Sequence, residues 1–205
     1  MAVAQFALPL SDALPNGPAQ LVLGEGNRAV AEALAHPHTW PFRTAVLAGP
    51  PRSGKSLFLR WFTETHGGTV LDDAGARGEA EIFHAWNRAQ ANGTPLLLAV
   101  DEGAWTIALP DLASRIGAAV HLRIDPPGDA LAGELILSHA AQRGLILGDG
   151  AAAYLVPRIE RSYAAIEQVV AAIDRLGLER KAPATMSIWR DALDAIQGPS
   201  QGRLL

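Results

Sequence analysis

The chain contains no cysteine, which excludes disulfides and thiolate metal sites and fits a reducing cytoplasm. It has no apolar run approaching the ~20 residues that a membrane-spanning helix needs. It also lacks a basic excess: 17 Lys and Arg against 21 Asp and Glu leave a net charge of −4, so there is no electrostatic footprint of a direct nucleic-acid binder. The opening stretch MAVAQFALPLSDALPNG has no basic start and is broken by Pro9 and Pro15, so it does not read as a signal peptide. The six histidines are scattered, and His36 and His38 flank Pro37 in a spacing that reads as incidental rather than metal-binding. What remains is the make-up of a soluble globular protein, 49% hydrophobic and 19% charged over 205 residues. That length suits one domain with a small appendage.

Against these absences one stretch stands out, AGPPRSGKSLFL from Ala48 to Leu59. It contains Gly-x4-Gly-Lys-Ser, running Gly49, Pro50, Pro51, Arg52, Ser53, Gly54, Lys55 and Ser56, with Leu57 continuing into a helix. In such a loop the glycines turn backbone N–H groups onto phosphates and the following helix adds its positive end. Lys55 then reaches the β- and γ-phosphates and the Ser56 hydroxyl sits on Mg²⁺. The apolar run TAVLAG (44–49) before it reads as a buried strand. Further strands are expected at 68–74, 95–101 and 119–124, with helices at 26–37 and 78–93.

Strands alternating with helices, each strand a near-continuous apolar run, predict an α/β fold with a small parallel sheet covered on both faces. After Pro127 the strands stop. Four helices are expected at 129–143, 149–156, 158–176 and 187–196, forming an all-α subdomain. The expected division is a tail over 1–20, a nucleotide-binding core over 21–126, a helical lid over 127–197 and a second tail over 198–205.

Three sets of residues carry further chemistry. Asp72 and Asp73 close an apolar strand, where such folds hold a second acidic site: Asp72 for the Mg²⁺ shell, Asp73 for an attacking water. Asp101 closes the next strand and either meets the water or γ-phosphate or caps the following turn. Arg115, beyond Pro110, is either a solvated surface arginine or a finger offered to a neighbour's nucleotide. In the tail, Gln5, Phe6, Leu8, Pro9 and Leu10 suggest a peptide that docks into a groove or a tail that packs back on its own domain.

Together these pieces resemble the Hda branch of the DnaA-related AAA+ proteins, in its compact alphaproteobacterial form. The likeness rests on GEGNRAVAEAL, WPFRTAVLAGPPRSGKS, IFHAWNRAQANGTPLLLAVD, LPDLASR and RIERSYAAIEQVVAAIDRLGL, in that order from Gln5 to about Leu193. The resemblance implies an AAA+ core of four to five strands holding ADP or ATP with Mg²⁺. Ser56 and Asp72 would face the metal, Asp101 would be the first sensor, and adenine-side contacts would fall near Leu23 and Asn27.

It further implies that Gln5 to Leu10, similar to a Gln-Leu-x-Leu-Pro-Leu peptide with Phe6 in place of Leu, binds the sliding clamp of DNA polymerase III. Arg115 would act in trans on ATP bound to DnaA, preventing re-initiation. A homodimer is compatible with it, and DNA contact would run through the clamp. The alternatives are a stand-alone replication-associated ATPase and a DnaA-like DNA-binding protein.

Three departures accompany the likeness. Only 17 positions separate Lys55 from Asp72, so the sheet should be small and short at the acidic-pair edge. The second-sensor arginine aligns with Ala164, and Arg161 is expected one helical turn earlier on a similar face, which puts intrinsic hydrolysis in doubt. The chain stops where DnaA continues into a helix-turn-helix DNA-binding domain.

Overall fold

A computed structural model describes residues 5–6, 21–103 and 105–197. The described residues divide into two compact units, one within Glu25–Asp125 and the other combining those up to Gly24 with those from Pro126 to 197.

In chain order, β1 (Gln5–Phe6) pairs antiparallel with β2 (Leu21–Val22). The Glu25–Asp125 unit then begins with α1 (Arg28–Leu34), followed by two short 3-10 turns, Pro37–Thr39 and Pro41–Arg43. It continues through β3 (Thr44–Gly49), α2 (Lys55–His66), β4 (Thr69–Leu71), α3 (Glu79–Asn92), β5 (Leu96–Asp101), α4 (Pro110–Gly117) and β6 (Val120–Arg123). The strands form an all-parallel sheet of four, ordered β4-β5-β3-β6.

The continuous apolar runs of β3 and β5 are explained by helices on both faces. Because side chains alternate across a strand, Val46, Leu96, Leu98 and Val100 share one face. There they pack with Ile82 and Ala89 of α3 and Leu112 and Ile116 of α4. Leu47 and Leu97 point the other way and are fully buried, as are Phe58 and Phe62 of α2, which packs on β3 and β5. β4 is a three-residue edge strand with half-buried side chains, so the predicted strand over 68–74 shortens to its middle. The acidic pair therefore sits in a turn beyond the strand.

Besides β1 and β2, the second unit holds α5 (Asp129–Gln142), α6 (Ala151–Leu155) running into a 3-10 turn at Val156–Arg158, α7 (Tyr163–Arg180) and α8 (Met186–Gln197). Its core gathers Ile136, Leu155, Ile166, Val169, Val170, Ile173, Ile188 and Leu193. The third helix starts five residues later than the expected 158. Ser162 takes an extended conformation and its side chain accepts a hydrogen bond from the Ala165 N–H, which fixes the helix start at Tyr163. Arg161 is consequently outside the helix, which corrects its expected place one helical turn before Ala164. Among the described residues, no helix is long and apolar enough to cross a membrane.

Candidate functional site

The strand-to-helix turn after β3 is built around conformations few residues tolerate. A Cβ at Gly49 would stand 2.9 Å from Ser53 Oγ and 3.0 Å from Ile124 Cβ, so the loop closes only over glycine. Arg52 and Gly54 both take positive φ, 66° and 86°, and Gly54 precedes α2 without any side-chain cap. The first amides of α2 lack intrahelical partners by construction, so the turn presents uncapped donors at the positive end of a twelve-residue helix. The Ser53 hydroxyl inside the turn is buried and has no hydrogen-bond partner. An uncapped helix start, an orphaned buried hydroxyl and a glycine with no room for a Cβ are the features of an anion cradle, and they fit a bound phosphate chain.

Lys55 lies across this cradle. Its ammonium donates to the carbonyls of Gly49 at 2.8 Å and Pro50 at 3.1 Å and pairs with Asp101 Oδ1 at 2.9 Å. The side chain is only 12% exposed while that of Asp101 is 69% exposed. The pairing follows from the sheet register, which sets Gly49 directly opposite Asp101. Of the two roles open to Asp101 in the sequence, a phosphate-side contact or a turn cap, the structure gives it a third as well: it is the counter-ion of Lys55.

Ser56 donates its hydroxyl to Asp72 Oδ2 at 2.6 Å. Asp72 Oδ1 accepts from the Asp73 N–H at 3.0 Å, and Arg77 Nε donates to the Asp72 carbonyl at 2.9 Å. A hydroxyl and a carboxylate oxygen thus meet at the lip of the loop, the hard oxygen donors that Mg²⁺ takes. Asp73 is exposed in a left-handed conformation, φ 52°, starting the 3-10 turn Ala74–Ala76. Lys55, Ser56, Asp72, Asp101 and the 49–54 loop are therefore gathered at the C-terminal ends of adjacent strands, where α/β folds bind ligands. Pro51 and Arg52 are exposed on the loop, Pro50 and Leu57 half-buried. Leu23 and Asn27 are both buried, and Asn27 carries the carbonyl that accepts the first bond of α1, from Ala31.

Arg115 is engaged away from this cluster. Its guanidinium stacks over the rings of Trp86 at 4.2 Å and Phe83 at 4.7 Å, and donates to Asn87 Oδ1 and Asp111 Oδ2, each at 2.8 Å. Its side chain is 26% exposed. Arg161 is likewise occupied, by Asp129 Oδ1 at 2.7 Å and by the carbonyls of Val156 and Ile159. Gln5 and Phe6 lie in β1, whereas Leu8, Pro9 and Leu10 fall outside the described residues.

Sequence reading missed the supports of Arg115. Glu79 accepts from the Ala108 and Leu109 amides at 2.6 and 2.8 Å, fixing the approach to α4, and Asn87 and Trp86 form the seat of the guanidinium. An acid in the first turn of α3 carried a signal for a cap of its own helix, but not for one 29 residues away.

With the geometry in place, comparison with known proteins is informative. No family model matches the chain. An uncharacterised protein of Haemophilus influenzae is 28% identical over 119 residues, 57% of this chain and 52% of its own. The chain thus spans about half the length of the curated relative it matches. Among solved structures, domain III of the Thermotoga maritima replication initiation protein DnaA aligns over 87% of this chain and 95% of its own, with a TM-score of 0.71 at 12% identity.

The fold is that of DnaA domain III.

AMPPCP-bound DnaA from Aquifex aeolicus gives a TM-score of 0.58 at 19% identity, over 78% of this chain and 66% of that one. The Thermotoga maritima RuvB Holliday junction branch migration motor also gives 0.58, at 16% identity over 84% and 69%. Both share with this chain a small parallel sheet followed by helices.

Proposed function

We propose that the chain is an adenine-nucleotide-bound AAA+ regulator of replication initiation, which stimulates hydrolysis of DnaA-bound ATP while tethered to the polymerase sliding clamp. The observation that carries the nucleotide half is the cradle at Gly49–Ser56, with uncapped helix amides, an orphaned Ser53 hydroxyl and Lys55 lying over it. The DnaA-like fold and the Aquifex neighbour bound to AMPPCP support the same reading.

In this account Lys55 leaves the Gly49 and Pro50 carbonyls to meet phosphate, retaining Asp101 as a counter-ion. Ser56 and Asp72 hold Mg²⁺, which neutralises phosphate charge when bound. The regulatory half is supported by the ordered resemblance to the Hda branch, in which Arg115 is the group offered in trans. Here Arg115 must leave the Trp86 and Phe83 rings and exchange Asn87 and Asp111 for a partner's phosphate oxygens. Those bonds are replaced one for one, and a guanidinium fork suits bidentate contact with phosphate. Gln5 to Leu10 supplies the clamp-docking peptide.

The test is ATP-bound DnaA mixed with loaded clamp and this chain. Hydrolysis accelerates with the intact protein and returns to the basal rate with Arg115→Ala. No acceleration by the intact protein defeats the regulatory reading. A second reading, an ATPase in its own right, draws on the Ser56–Asp72 pair and the acids at two strand ends. Brisk turnover by the purified chain alone, lost in Asp73→Asn, would favour it.

A further inference from the structure

The opposite end of the sheet from the phosphate loop carries a second constellation. His36 follows α1, His38 lies in the Pro37–Thr39 turn and His66 ends α2, so the fold brings His66 near a His36–His38 pair that lies 28 residues earlier, at the N-terminal ends of the strands. The His36 and His38 rings stand edge to face with centroids 5.9 Å apart. A cleft of about 310 Å³ is lined by His38, His66 and Arg43 with Ala35, Pro37 and Pro95. It adjoins another of about 430 Å³, which shares His38 and Arg43 and adds Phe42, Gln90 and the Gly93–Thr94 backbone. Neither lining contains an acidic side chain.

The segment that delivers Arg43 is strained. Phe42 and Arg43 are consecutive non-glycine residues in the left-handed region, φ 50° and 48°. For a residue with a Cβ that conformation is unfavourable and has to be held by its surroundings. The conformation is held by three bonds: Gln90 Nε2 and Thr44 Oγ1 donate to the Phe42 carbonyl, at 2.7 and 3.0 Å, and Arg43 donates to the Gly93 carbonyl. The result keeps the Phe42 side chain 56% exposed and fixes Arg43 on the ridge between the two clefts. One guanidinium nitrogen is used by Gly93, and a planar fork has further N–H donors.

His66 supplies the second anomaly. Its Nε2 is buried without a hydrogen-bond partner, while its other nitrogen is satisfied by the Leu34 backbone. A lone pair left unpaired out of water is costly. Protonation would turn it into a donor, but burial and the neighbouring His36 and His38 oppose that charge. An anion in the cleft that His38, His66 and Arg43 line removes the opposition. Among the described residues, no group of three or more His, Asp or Glu side chains converges as metal ligands.

We infer that the Arg43–His38–His66 cleft binds an oxyanion, a phosphate- or sulfate-like group on a small molecule whose body lies against Phe42 and the Gly93–Thr94 backbone. Binding favours a proton on His66, whose charged form burial otherwise opposes, so the site strengthens as pH falls. It is separate from the Gly49–Ser56 cradle and stands whether or not that cradle holds nucleotide.

The experiment is sulfate titration followed by NMR of imidazole rings and backbone amides at pH 5.5 and 7.5, ionic strength held constant with chloride. Sulfate keeps its charge across this range, so any pH effect belongs to the protein. Saturable shifts at His38 and His66 are expected, with affinity about five-fold or more higher at the lower pH. Arg43→Ala abolishes them, while His66→Gln keeps the His38 shift and loses most of the pH dependence. Phenyl phosphate at pH 7.5 binds more tightly than sulfate and also moves Gly93 and Thr94. Shifts confined to the Gly54–Ser56 amides, or imidazole signals that never saturate, overturn the site. Equal affinity for sulfate and phenyl phosphate overturns the assignment of the second cleft.

Discussion

Lys55 and Arg115 are two cations of the same unit held in different ways. Lys55 rests on two backbone carbonyls and one exposed carboxylate, at the start of a helix that has no side-chain cap. Arg115 rests on two aromatic rings, an amide oxygen and a carboxylate, on a surface formed by α3 and α4. Around Lys55 the surroundings already contain the donors a phosphate needs, so an arriving anion completes the site. Around Arg115 the bonded partners are an amide oxygen and a carboxylate oxygen with two ring faces, so the guanidinium is already engaged. On the function proposed above, the first arrangement is the chain's own ligand site and the second holds a group for use on a partner.

The sharpest way to break this contrast is to remove Arg115. In the DnaA assay Arg115→Ala should erase the whole stimulation while leaving the chain's own nucleotide affinity within about two-fold. A variant that loses both functions together would show that the two cations are not independent. Arg115→Lys keeps the charge without the planar fork and should recover only a small part of the effect.

A smaller effect is expected from Gly49→Ala. The new methyl meets Ser53 Oγ and Ile124 Cβ at 2.9 and 3.0 Å, an overpacking that costs about 1–3 kcal/mol in denaturant unfolding. Nucleotide affinity should fall with it, because Ser53 sits within the turn. The stacked guanidinium contributes less to folding: Arg115→Ala should cost about 1 kcal/mol, from lost cation–π contact and packing at a partly exposed seat. Ser162→Ala should cost a similar ~1 kcal/mol through the lost cap of α7. Because this change lies in the helical unit, it should leave the nucleotide affinity of the cradle unaltered.

The smallest effect is one of pH. Burial, with His36 and His38 nearby, holds His66 below the usual 6.5 in the folded chain. Its neutral form is the one the fold accepts, so the unfolded chain binds more protons as pH drops. The stabilising contribution is complete above about pH 6.5 and is lost as pH falls through the lowered folded value. Thermal unfolding between pH 7.5 and 5 should therefore show a decline that is reduced in His66→Gln.

Much of the fold was legible because local signals and tertiary context agree. The apolar runs at 44–49 and 95–101 became the two central strands, the second beginning one residue later at Leu96, and Gly93 ended α3 as expected of a glycine there. Disagreement arose where a tertiary cause decides. The strand over 68–74 kept only Thr69–Leu71, since an edge strand is paired on one side alone. The helix expected from 158 waited for Ser162, which left Arg161 in the preceding bend, bound to Asp129. The cradle was legible from its spacing, but not the seat of Arg115, whose partners Asn87, Phe83 and Trp86 lie about thirty residues away. The same holds for His66, 28 residues from His38: the His36–His38 pair looked incidental until the fold brought a third ring beside it.

The most direct measurement is calorimetric titration of the purified chain, stripped of nucleotide, with ADP and with ATP in Mg²⁺, beside Lys55→Ala. Saturable one-to-one binding is predicted, weakened by about ten- to a hundred-fold when the ammonium is removed, as expected for a charge-assisted contact of ~1.5–3 kcal/mol. Absence of binding, or equal affinity in the two proteins, would contradict the account.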